Sequence, residues 1–284
     1  MDLTQSQYIN VNSSDNKTHY HIKHPLFSAV ISGFGAQLLS FTPAQQLDLL
    51  WLSNSAVLDG TAAIRGGIPI CWPWFGPAPE KFAGQSQHGY LRSLHWQLSN
   101  YVESEQQVAL TFELQQPEFI EDKLGLKAKI VFVLSSAAEV QIVSTNIGEQ
   151  PFELSQAIHT YFNVGSIDDT QIDDLAGVSY FDKLANNKLL QQNGTLDIDQ
   201  ALDRIYLFDQ PELNVKTKDR TIKVSGENHD SVIVWNPGEE GAKAIKDFDD
   251  DRYQQMLCVE MGVTQGHKLQ VGETYTLSQK FSLR

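Results

Sequence analysis

The sequence predicts an all-β fold, a large antiparallel β-sandwich with a few short helices. Strand-like segments recur along the chain and turn signals are frequent between them. The strands do not alternate with helices of about 10–15 residues, as they would in a parallel βαβ fold. The 284 residues contain no Pro- or Ser-rich linker and no internal repeat. We therefore expect a single domain over residues 1–284.

The predicted strands are rich in Val, Ile, Phe and Thr, which favour extended backbone. In chain order they are QVALTFEL (107–114), LKAKIVFVL (126–134), AEVQIVSTN (138–146), TIKVSG (221–226), SVIVWNP (231–237), MLCVEMG (256–262) and YTLSQKFSLR (275–284). The short polar connection SSA (135–137) predicts a hairpin between the second and third. In the last, Tyr275, Leu277, Phe281 and Leu283 fall on one face at a period of two.

Two segments are predicted to be partly helical, DIDQALDRIYLF (197–208) and GAKAIKDFDDDRYQQM (241–256). The second contains the acidic run DFDDD (247–251), whose composition is compatible with calcium binding. The run lacks the loop glycine and the bidentate Glu of a calcium-binding loop. We therefore interpret it as a solvated acidic turn.

Composition excludes several classes of function. The formal net charge of -14, from 35 acidic and 21 basic residues, argues against nucleic-acid and anionic-membrane partners. No run of about 18 apolar residues predicts a membrane span, and the N-terminal segment has no signal-peptide pattern. Cys71 and Cys258 are too few for a disulfide framework. We expect a cytoplasmic monomer with no metal and no cofactor.

The segment IRGGIPICWPWFGP (64–77) has prolines at positions 69, 73 and 77. Proline lacks a backbone N–H, so this spacing excludes an uninterrupted helix and disfavours a central strand. Arg65 lies at the start of the segment. Trp72 and Trp74 have two open interpretations, as core residues or as the wall of a pocket.

Several polar residues occur where their surroundings make them candidates for a site. Glu260 lies in the apolar run MLCVEMG, and burying a carboxylate without a partner is costly. It could form a structural ion pair or act in catalysis. His159 lies between apolar residues, where a histidine is more often a core residue with its ring nitrogens satisfied than a catalytic group. In QSQHGYLRSLHW (85–96), Gly89 predicts a tight bend that would place Gln87, His88 and Arg92 at a loop rim.

Six ordered segments resemble the hexose-6-phosphate mutarotases, which are glucose-6-phosphate 1-epimerases of the aldose 1-epimerase, or galactose-mutarotase-like, superfamily. They are RGGIPICWPWFGP, QHGYLR, AIHTYF, LDRIY, VIVWNP and MLCVE, and they span residues 64–260. The resemblance implies a galactose-mutarotase-like sandwich. It also implies an enzyme that interconverts the anomers of a hexose 6-phosphate, with glucose 6-phosphate as the expected substrate.

The resemblance further implies a role for each matching residue. His159 is the implied general acid and Glu260 the implied general base. The implied substrate-binding residues are Arg65, Gln87, Arg92 and Asp203, to which we add His88 from the same loop. Two positions depart from the family pattern. Gly238 stands where a second aromatic residue is expected, and Leu91 stands where a smaller residue is usual.

These residue types suit the chemistry of anomer exchange. Opening the sugar ring takes a proton from the O1 hydroxyl and gives one to ring oxygen O5, which one base and one acid can do. A carboxylate close to His159 would favour its imidazolium form. The guanidinium fork binds phosphate oxygens well, so Arg65 and Arg92 are expected to hold the 6-phosphate.

Three other functions remain open at this point. A glycoside hydrolase could use Asp203 and Glu260 as its two carboxylates. A carbohydrate-binding module could use the same sandwich without catalysis. A mutarotase for unphosphorylated aldoses would share His159 and Glu260 but would not need the pair Arg65 and Arg92.

Overall fold

A computed structural model describes residues 3–14 and 17–284 of the chain. These residues form twenty-one β-strands, two short α-helices and five 3₁₀ turns. The strands are β1 (Ile9–Ser14), β2 (Lys17–His24), β3 (Phe27–Ser32), β4 (Gln37–Pro43), β5 (Ile70–Cys71), β6 (Trp96–Glu103), β7 (Val108–Leu114), β8 (Leu126–Leu134), β9 (Ala138–Asn146), β10 (Phe152–Ile158), β11 (Tyr161–Asn163), β12 (Gln171–Ile172), β13 (Ser179–Asp182), β14 (Lys188–Gln191), β15 (Leu196–Asp197), β16 (Leu202–Leu207), β17 (Glu212–Lys216), β18 (Thr221–Glu227), β19 (Ser231–Asn236), β20 (Met256–Leu269) and β21 (Thr274–Leu283). The helices are α1 (Glu118–Leu124) and α2 (Gly238–Ala244), and the 3₁₀ turns are Glu80–Phe82, Leu91–Ser93, Ile167–Asp169, Lys183–Ala185 and Arg252–Gln255.

The strands form three antiparallel sheets. A four-stranded sheet has the order β1-β2-β3-β4, and a nine-stranded sheet has the order β15-β12-β17-β18-β21-β9-β8-β7-β6. An eight-stranded sheet has the order β14-β13-β16-β19-β20-β10-β5, with β11 paired to β20 beside this path. Within the described ranges, no helix is long and apolar enough to cross a membrane.

The two large sheets pack face to face as a sandwich. Phe281 of the nine-stranded sheet contacts Phe162 of β11 with ring centroids 5.3 Å apart. Gln279, also buried, donates to the Val259 carbonyl and accepts from the Met261 N–H of β20. These two hydrogen bonds satisfy a polar side chain inside the core. Strand β20 is therefore covered on one face by the second sheet, while its other face is available for a site.

The sequence-predicted strands are confirmed, and so is the hairpin between β8 and β9, where Leu134 pairs with Ala138. The helical prediction for residues 197–208 is wrong. This segment ends β15 and forms β16, which pairs along its length with β19. Cross-strand pairing outweighs the weak helical pattern. The prediction for 241–256 is partly right, because α2 covers its first residues and a 3₁₀ turn its last.

The proline-rich segment 64–77 behaves as expected. It contains only the two-residue strand β5, which lies at the edge of its sheet. Trp72 and Trp74 are core residues, 0% and 2% exposed. The Trp72 indole N–H donates to Ser144 Oγ, and that of Trp74 donates to the Ser86 carbonyl. Among the aromatic residues of this segment, Phe75 is the one that lines the cavity described below.

Candidate active site

One cavity of about 220 Å³ contains all seven sequence-predicted site residues. Its lining consists of Arg65, Phe75, Gln87, His88, Arg92, His159, Tyr161, Lys183, Asp203, Ile233, Trp235 and Glu260. The floor is the outer face of the eight-stranded sheet, where two rows of register partners run across β16, β19 and β20. Asp203 pairs with Trp235 and Trp235 with Cys258, while Ile205 pairs with Ile233 and Ile233 with Glu260.

Glu260 reaches the cavity because of the period of two along β20. Its neighbours Val259 and Met261 face the second sheet, so the Glu260 side chain points to the opposite face. The side chain is nevertheless only 1% exposed. Its Oε2 atom has no hydrogen-bond partner among the described residues. A buried carboxyl oxygen without a partner is costly, which points to a group kept for a ligand.

His159 lies between β10 and β11, and its backbone N–H donates to the Pro69 carbonyl. Its Nδ1 atom is 3.2 Å from Glu260 Oε1, within ion-pair distance. The imidazole stacks on the Tyr161 ring with centroids 4.8 Å apart and an interplanar angle of 8°. The Trp235 ring meets it edge-on at 6.2 Å. These contacts fix the orientation of the imidazole beside the carboxyl group.

Burial opposes charge on both members of this pair. It raises the pKa of Glu260 well above 4.5, and Asp203 raises it further. It lowers the pKa of His159 well below 6.5, and the nearby His88, Arg92 and Arg65 lower it further. A neighbouring carboxylate is expected to favour the imidazolium form of His159. In the free site, burial outweighs that effect. Burial therefore favours the uncharged form of each side chain in the free site.

Arg65 is held by two partners at the Tyr161 end of the cavity. Its Nε donates to Asp247 Oδ1 at 3.2 Å, and its Nη1 donates to Tyr161 Oη at 3.0 Å. Asp247 belongs to the acidic run 247–251, which lies in a turn with Asp250 and Asp251 exposed, so the interpretation of that run as a solvated turn is only partly right. Asp249 of the same run accepts hydrogen bonds from Asn54 N–H and Ser55 Oγ. The run anchors the loop that contains Arg65.

His88 has a fixed tautomer. The backbone N–H of Gly76 donates to His88 Nδ1 at 3.1 Å, and the backbone N–H of His88 donates back to the Gly76 carbonyl at 2.8 Å. Because a backbone N–H can only donate, Nδ1 must be unprotonated and the proton lies on Nε2. Burial, with Arg92, Lys183 and Arg65, lowers the pKa of His88 to about 3. His88 is thus a neutral Nε2–H donor at the cavity.

Gly89 makes the His88 loop possible. It has φ +71° and forms a β-bridge with Trp72. The Trp72 N–H donates to the His88 carbonyl, and the Trp72 carbonyl accepts from the Tyr90 N–H. A Cβ at position 89 would lie 1.9 Å from the Trp72 carbonyl oxygen. Only glycine fits both the backbone conformation and the space, as the sequence-predicted bend implied.

We expect Gly89→Ala to lower the free energy of unfolding by about 3–5 kcal/mol, since left-handed backbone and overpacking each add cost. Gly84→Ala is the matched control. Gly84 has φ +82°, and a Cβ added there would meet no atom within 4 Å, so only the backbone cost of about 1–2 kcal/mol applies. Urea unfolding measures both values. Equal losses for the two variants would contradict the role given to Gly89.

Arg92 and Asp203 contribute opposite charges to the cavity. Arg92 donates from Nη2 to the Gln87 carbonyl at 3.0 Å, which fixes one end of its guanidinium group. No ion pair to Arg92 occurs within residues 3–14 and 17–284. Asp203 lies on β16, and burial raises its pKa while Lys183 opposes the rise. Asp203 therefore presents a carboxyl group that can accept from a hydroxyl.

Sequence reasoning missed five side chains of the lining: Phe75, Tyr161, Lys183, Ile233 and Trp235. Tyr161 and Trp235 occur in the quoted segments AIHTYF and VIVWNP, and the period of two would have placed Trp235 on the face of Asp203. Lys183 follows β13 in a 3₁₀ turn, and nothing in its local sequence signals a site.

The two departures from the family pattern lie outside the cavity. Gly238, buried with φ +64°, packs so closely on Ala201 that an added Cβ would be 2.8 Å from the Ala201 methyl. An aromatic side chain would not fit there. The aromatic residue that the segment VIVWNP contributes to the cavity is Trp235, on β19. Leu91 is fully buried in the main core, so it does not alter the rim.

One group near the cavity has the composition of a metal site. Donor atoms of His159, Cys258 and Glu260 all lie within 4.8 Å of one another. Burial raises the pKa of the Cys258 thiol well above its usual value, with Glu260 adding to the effect. Burial thus opposes the thiolate form, which is the form that binds metals. Cys71 and Cys258 are both buried and unpaired within the described residues. The absence of a metal stays a prediction.

Comparison with known proteins gives consistent matches over most of the chain. The family model described as Aldose 1-epimerase matches residues 18–282. An Escherichia coli (strain K12) protein with the provisional name glucose-6-phosphate 1-epimerase is 38% identical over 246 residues, covering 84% of this chain and 81% of that protein. YeaD of Salmonella typhimurium, a solved structure described provisionally as a mutarotase, is 29% identical with a TM-score of 0.90, covering 99% of this chain and 95% of YeaD.

A more distant solved structure shares the fold. The galactose 1-epimerase of Lactobacillus acidophilus NCFM is 12% identical, with a TM-score of 0.75, and covers 97% of this chain and 98% of its own. With YeaD, this likeness confirms the predicted fold class, a mostly β sandwich of the galactose-mutarotase-like type.

Proposed function

The chain belongs to the aldose 1-epimerase family, and we propose that it interconverts the α and β anomers of a hexose 6-phosphate, with glucose 6-phosphate as the main substrate. The family makes it an isomerase. One observation supports the proposal most: a single cavity holds an imidazole and a carboxyl group 3.2 Å apart together with Arg65, Arg92 and Lys183. The first two suit ring opening, and the cations suit a phosphate.

In the proposed reaction Glu260 takes the proton of the O1 hydroxyl as the C1–O5 bond breaks and C1–O1 becomes a carbonyl. His159 gives a proton to O5. Rotation about C1–C2 presents the other carbonyl face, O5 attacks it, and both protons return along the same paths. Each transfer by a positioned group is worth about 10²–10⁴-fold in rate. Neither step requires a metal or a nucleotide.

The pKa directions of the pair favour the ring-opened side of this reaction. Ring opening converts imidazolium and carboxylate into imidazole and carboxylic acid, and burial lowers the pKa of His159 and raises that of Glu260. The uncharged pair is thus the form that the cavity favours. An anionic substrate bound beside His159 raises the pKa of the imidazole, so that binding prepares the donor.

The remaining lining residues would hold the sugar. Arg92, which has one N–H engaged with a carbonyl, and Arg65 are proposed phosphate ligands, with Gln87 as a neutral donor. His88 would donate from Nε2 to a sugar hydroxyl, and Asp203 would accept from one. Binding at the remote phosphate would fix C1 against the acid–base pair.

Anomer exchange measured by magnetisation-transfer NMR tests this function. Wild-type protein should accelerate exchange of glucose 6-phosphate far above the uncatalysed rate and exceed its effect on glucose. Faster exchange of glucose would favour the alternative of a mutarotase for unphosphorylated aldoses. Exchange rates equal to those in buffer for both sugars would end the proposal and leave a non-catalytic carbohydrate-binding protein.

The pair also predicts a pH dependence. The active pair holds one proton, and it loses activity in acid when it takes up a second. Since burial lowers the pKa of His159 well below 6.5, we expect kcat to stay on its plateau as pH falls through 6.5. Profiles with glucose avoid the titration of the substrate phosphate near pH 6. An acid limb centred at or above pH 6.5 would contradict the burial argument.

A further inference from the structure

Lys183 is a cation in the lining of the cavity. Within the described ranges its ammonium group has no hydrogen bond and no ion pair, and it lies 5.6 Å from the centroid of the Phe75 ring. The residue begins the 3₁₀ turn Lys183–Ala185, directly after β13. Asp182 at the end of β13 pairs with Arg204 of β16, which brings Lys183 beside Asp203. The charge of Lys183 acts to lower the pKa of Asp203 and that of Glu260.

The turn that bears Lys183 is fixed in place. Asp182 Oδ1 accepts from the backbone N–H groups of Leu184 and Ala185, a side-chain cap on the turn. The Asp182 carboxylate also lies 3.7 Å from Arg204 Nε. Asp182 is therefore engaged by the turn and by Arg204, and it does not pair with Lys183. The arrangement places at the cavity an ammonium that forms no ion pair among the described residues.

The three cations of the cavity differ in how far their charge is compensated. Arg65 has a carboxylate partner in Asp247 and a second partner in Tyr161. Arg92 donates to an uncharged carbonyl. Lys183 has neither. A phosphate dianion gains most from cations whose charge is not already neutralised, so Lys183 and Arg92 are favoured over Arg65.

Lys183 also stands at the boundary of a second cavity. This cavity, of about 310 Å³, shares Phe75 and Lys183 with the first. Its other polar lining comes from Ser155, Asn187, Thr264 and Gln265. Pro77, Phe181 and Ile205 add apolar surface to the lining. A substituent that extends from a sugar in the first cavity past Lys183 would enter this second cavity.

We propose that Lys183 is a ligand of the substrate phosphate and contributes more to the selectivity for a phosphorylated sugar than Arg65 does. This inference rests on the proposed function. The ammonium would meet the phosphate at the boundary of the two cavities, with Arg92 as a second ligand from the first cavity. Loss of one charge-assisted contact of this kind corresponds to about a 10- to 100-fold loss of binding.

The test compares kcat/KM for glucose 6-phosphate with kcat/KM for glucose by magnetisation-transfer NMR. Lys183→Met keeps the length of the aliphatic stem over Phe75 and removes the charge. We expect it to lower the ratio of the two constants about 10- to 100-fold, with Lys183→Arg retaining most of the ratio. Lys188→Met, an exposed lysine on neighbouring β14, is the matched control and should leave the ratio unchanged. Arg65→Met should lower it less than Lys183→Met.

A second measurement uses inorganic phosphate itself as the ligand. Inorganic phosphate should compete with glucose 6-phosphate, and Lys183→Met should weaken this inhibition by a similar factor. An unchanged ratio, or an unchanged inhibition constant for phosphate, would overturn the role of Lys183 while leaving the proposed function in place. Failure of the wild-type protein to exchange anomers would instead overturn the proposed function itself.

Discussion

Glu260→Gln should lower kcat for anomer exchange of glucose 6-phosphate by about 10²–10⁴-fold, the value of one positioned proton transfer. The amide has the shape of the carboxyl group but cannot accept the O1 proton. Because Glu260 is 1% exposed and its Oε2 has no partner within the described part of the chain, a neutral amide should not destabilise the fold. We expect KM to change much less than kcat, since the proposed phosphate and hydroxyl ligands remain.

The chain offers a matched control for this variant. Glu273 lies 2.9 Å from His267 Nε2, in a second His–Glu contact outside the cavity. Glu273→Gln makes the same carboxyl-to-amide change in a more exposed His–Glu contact and should leave kcat unchanged. The base assignment would be wrong if Glu260→Gln kept kcat within a few-fold of wild type, or if Glu273→Gln lowered kcat equally.

His159→Ala should lower kcat over the same range of about 10²–10⁴-fold, because it removes the donor to ring O5. The variant leaves a space between Tyr161, Trp235 and Glu260 that is shaped for an imidazole ring. Added imidazole should therefore restore part of the exchange rate above the rate that imidazole produces without protein. Such rescue distinguishes a lost proton donor from a general loss of structure.

His267→Ala is the control for His159→Ala, since His267 belongs to the contact outside the cavity. It should retain wild-type kcat and gain nothing from imidazole. A non-catalytic carbohydrate-binding protein would respond differently, because His159→Ala would leave any sugar-dependent function intact. Unchanged exchange in His159→Ala would remove the imidazole from the mechanism.

Much of the fold can be predicted from local sequence. The strands of the two large sheets are rich in β-branched and aromatic residues, which predict extended backbone. Glu260 is conspicuous as one acid in a run of Met, Leu, Cys and Val. The period of two then predicts that Glu260 and its two neighbours face opposite sides. Local sequence is sufficient here because a strand that is buried on both faces is a nearly continuous run of apolar residues, in which a single acid stands out.

Other parts depend on contacts between distant segments. Residues 197–208 contain a weak helical pattern, but pairing of β16 with β19 makes most of them extended and turns Asp203 toward the cavity. The acidic run predicts a solvated Asp247, whereas this residue binds Arg65 from 182 residues away. Lys183 lies in a polar turn that has no distinguishing composition. Such residues acquire a role only when the tertiary structure assembles the cavity.

A crystal structure of Glu260→Gln with bound glucose 6-phosphate would test the central proposal most directly. The account predicts the anomeric carbon between residues 159 and 260, with O1 within hydrogen-bond distance of the amide introduced at position 260 and ring O5 within reach of the His159 imidazole. The phosphate should lie against Arg92 and Lys183. A sugar bound in this cavity with C1 turned away from both residues, or bound elsewhere on the protein, would contradict it.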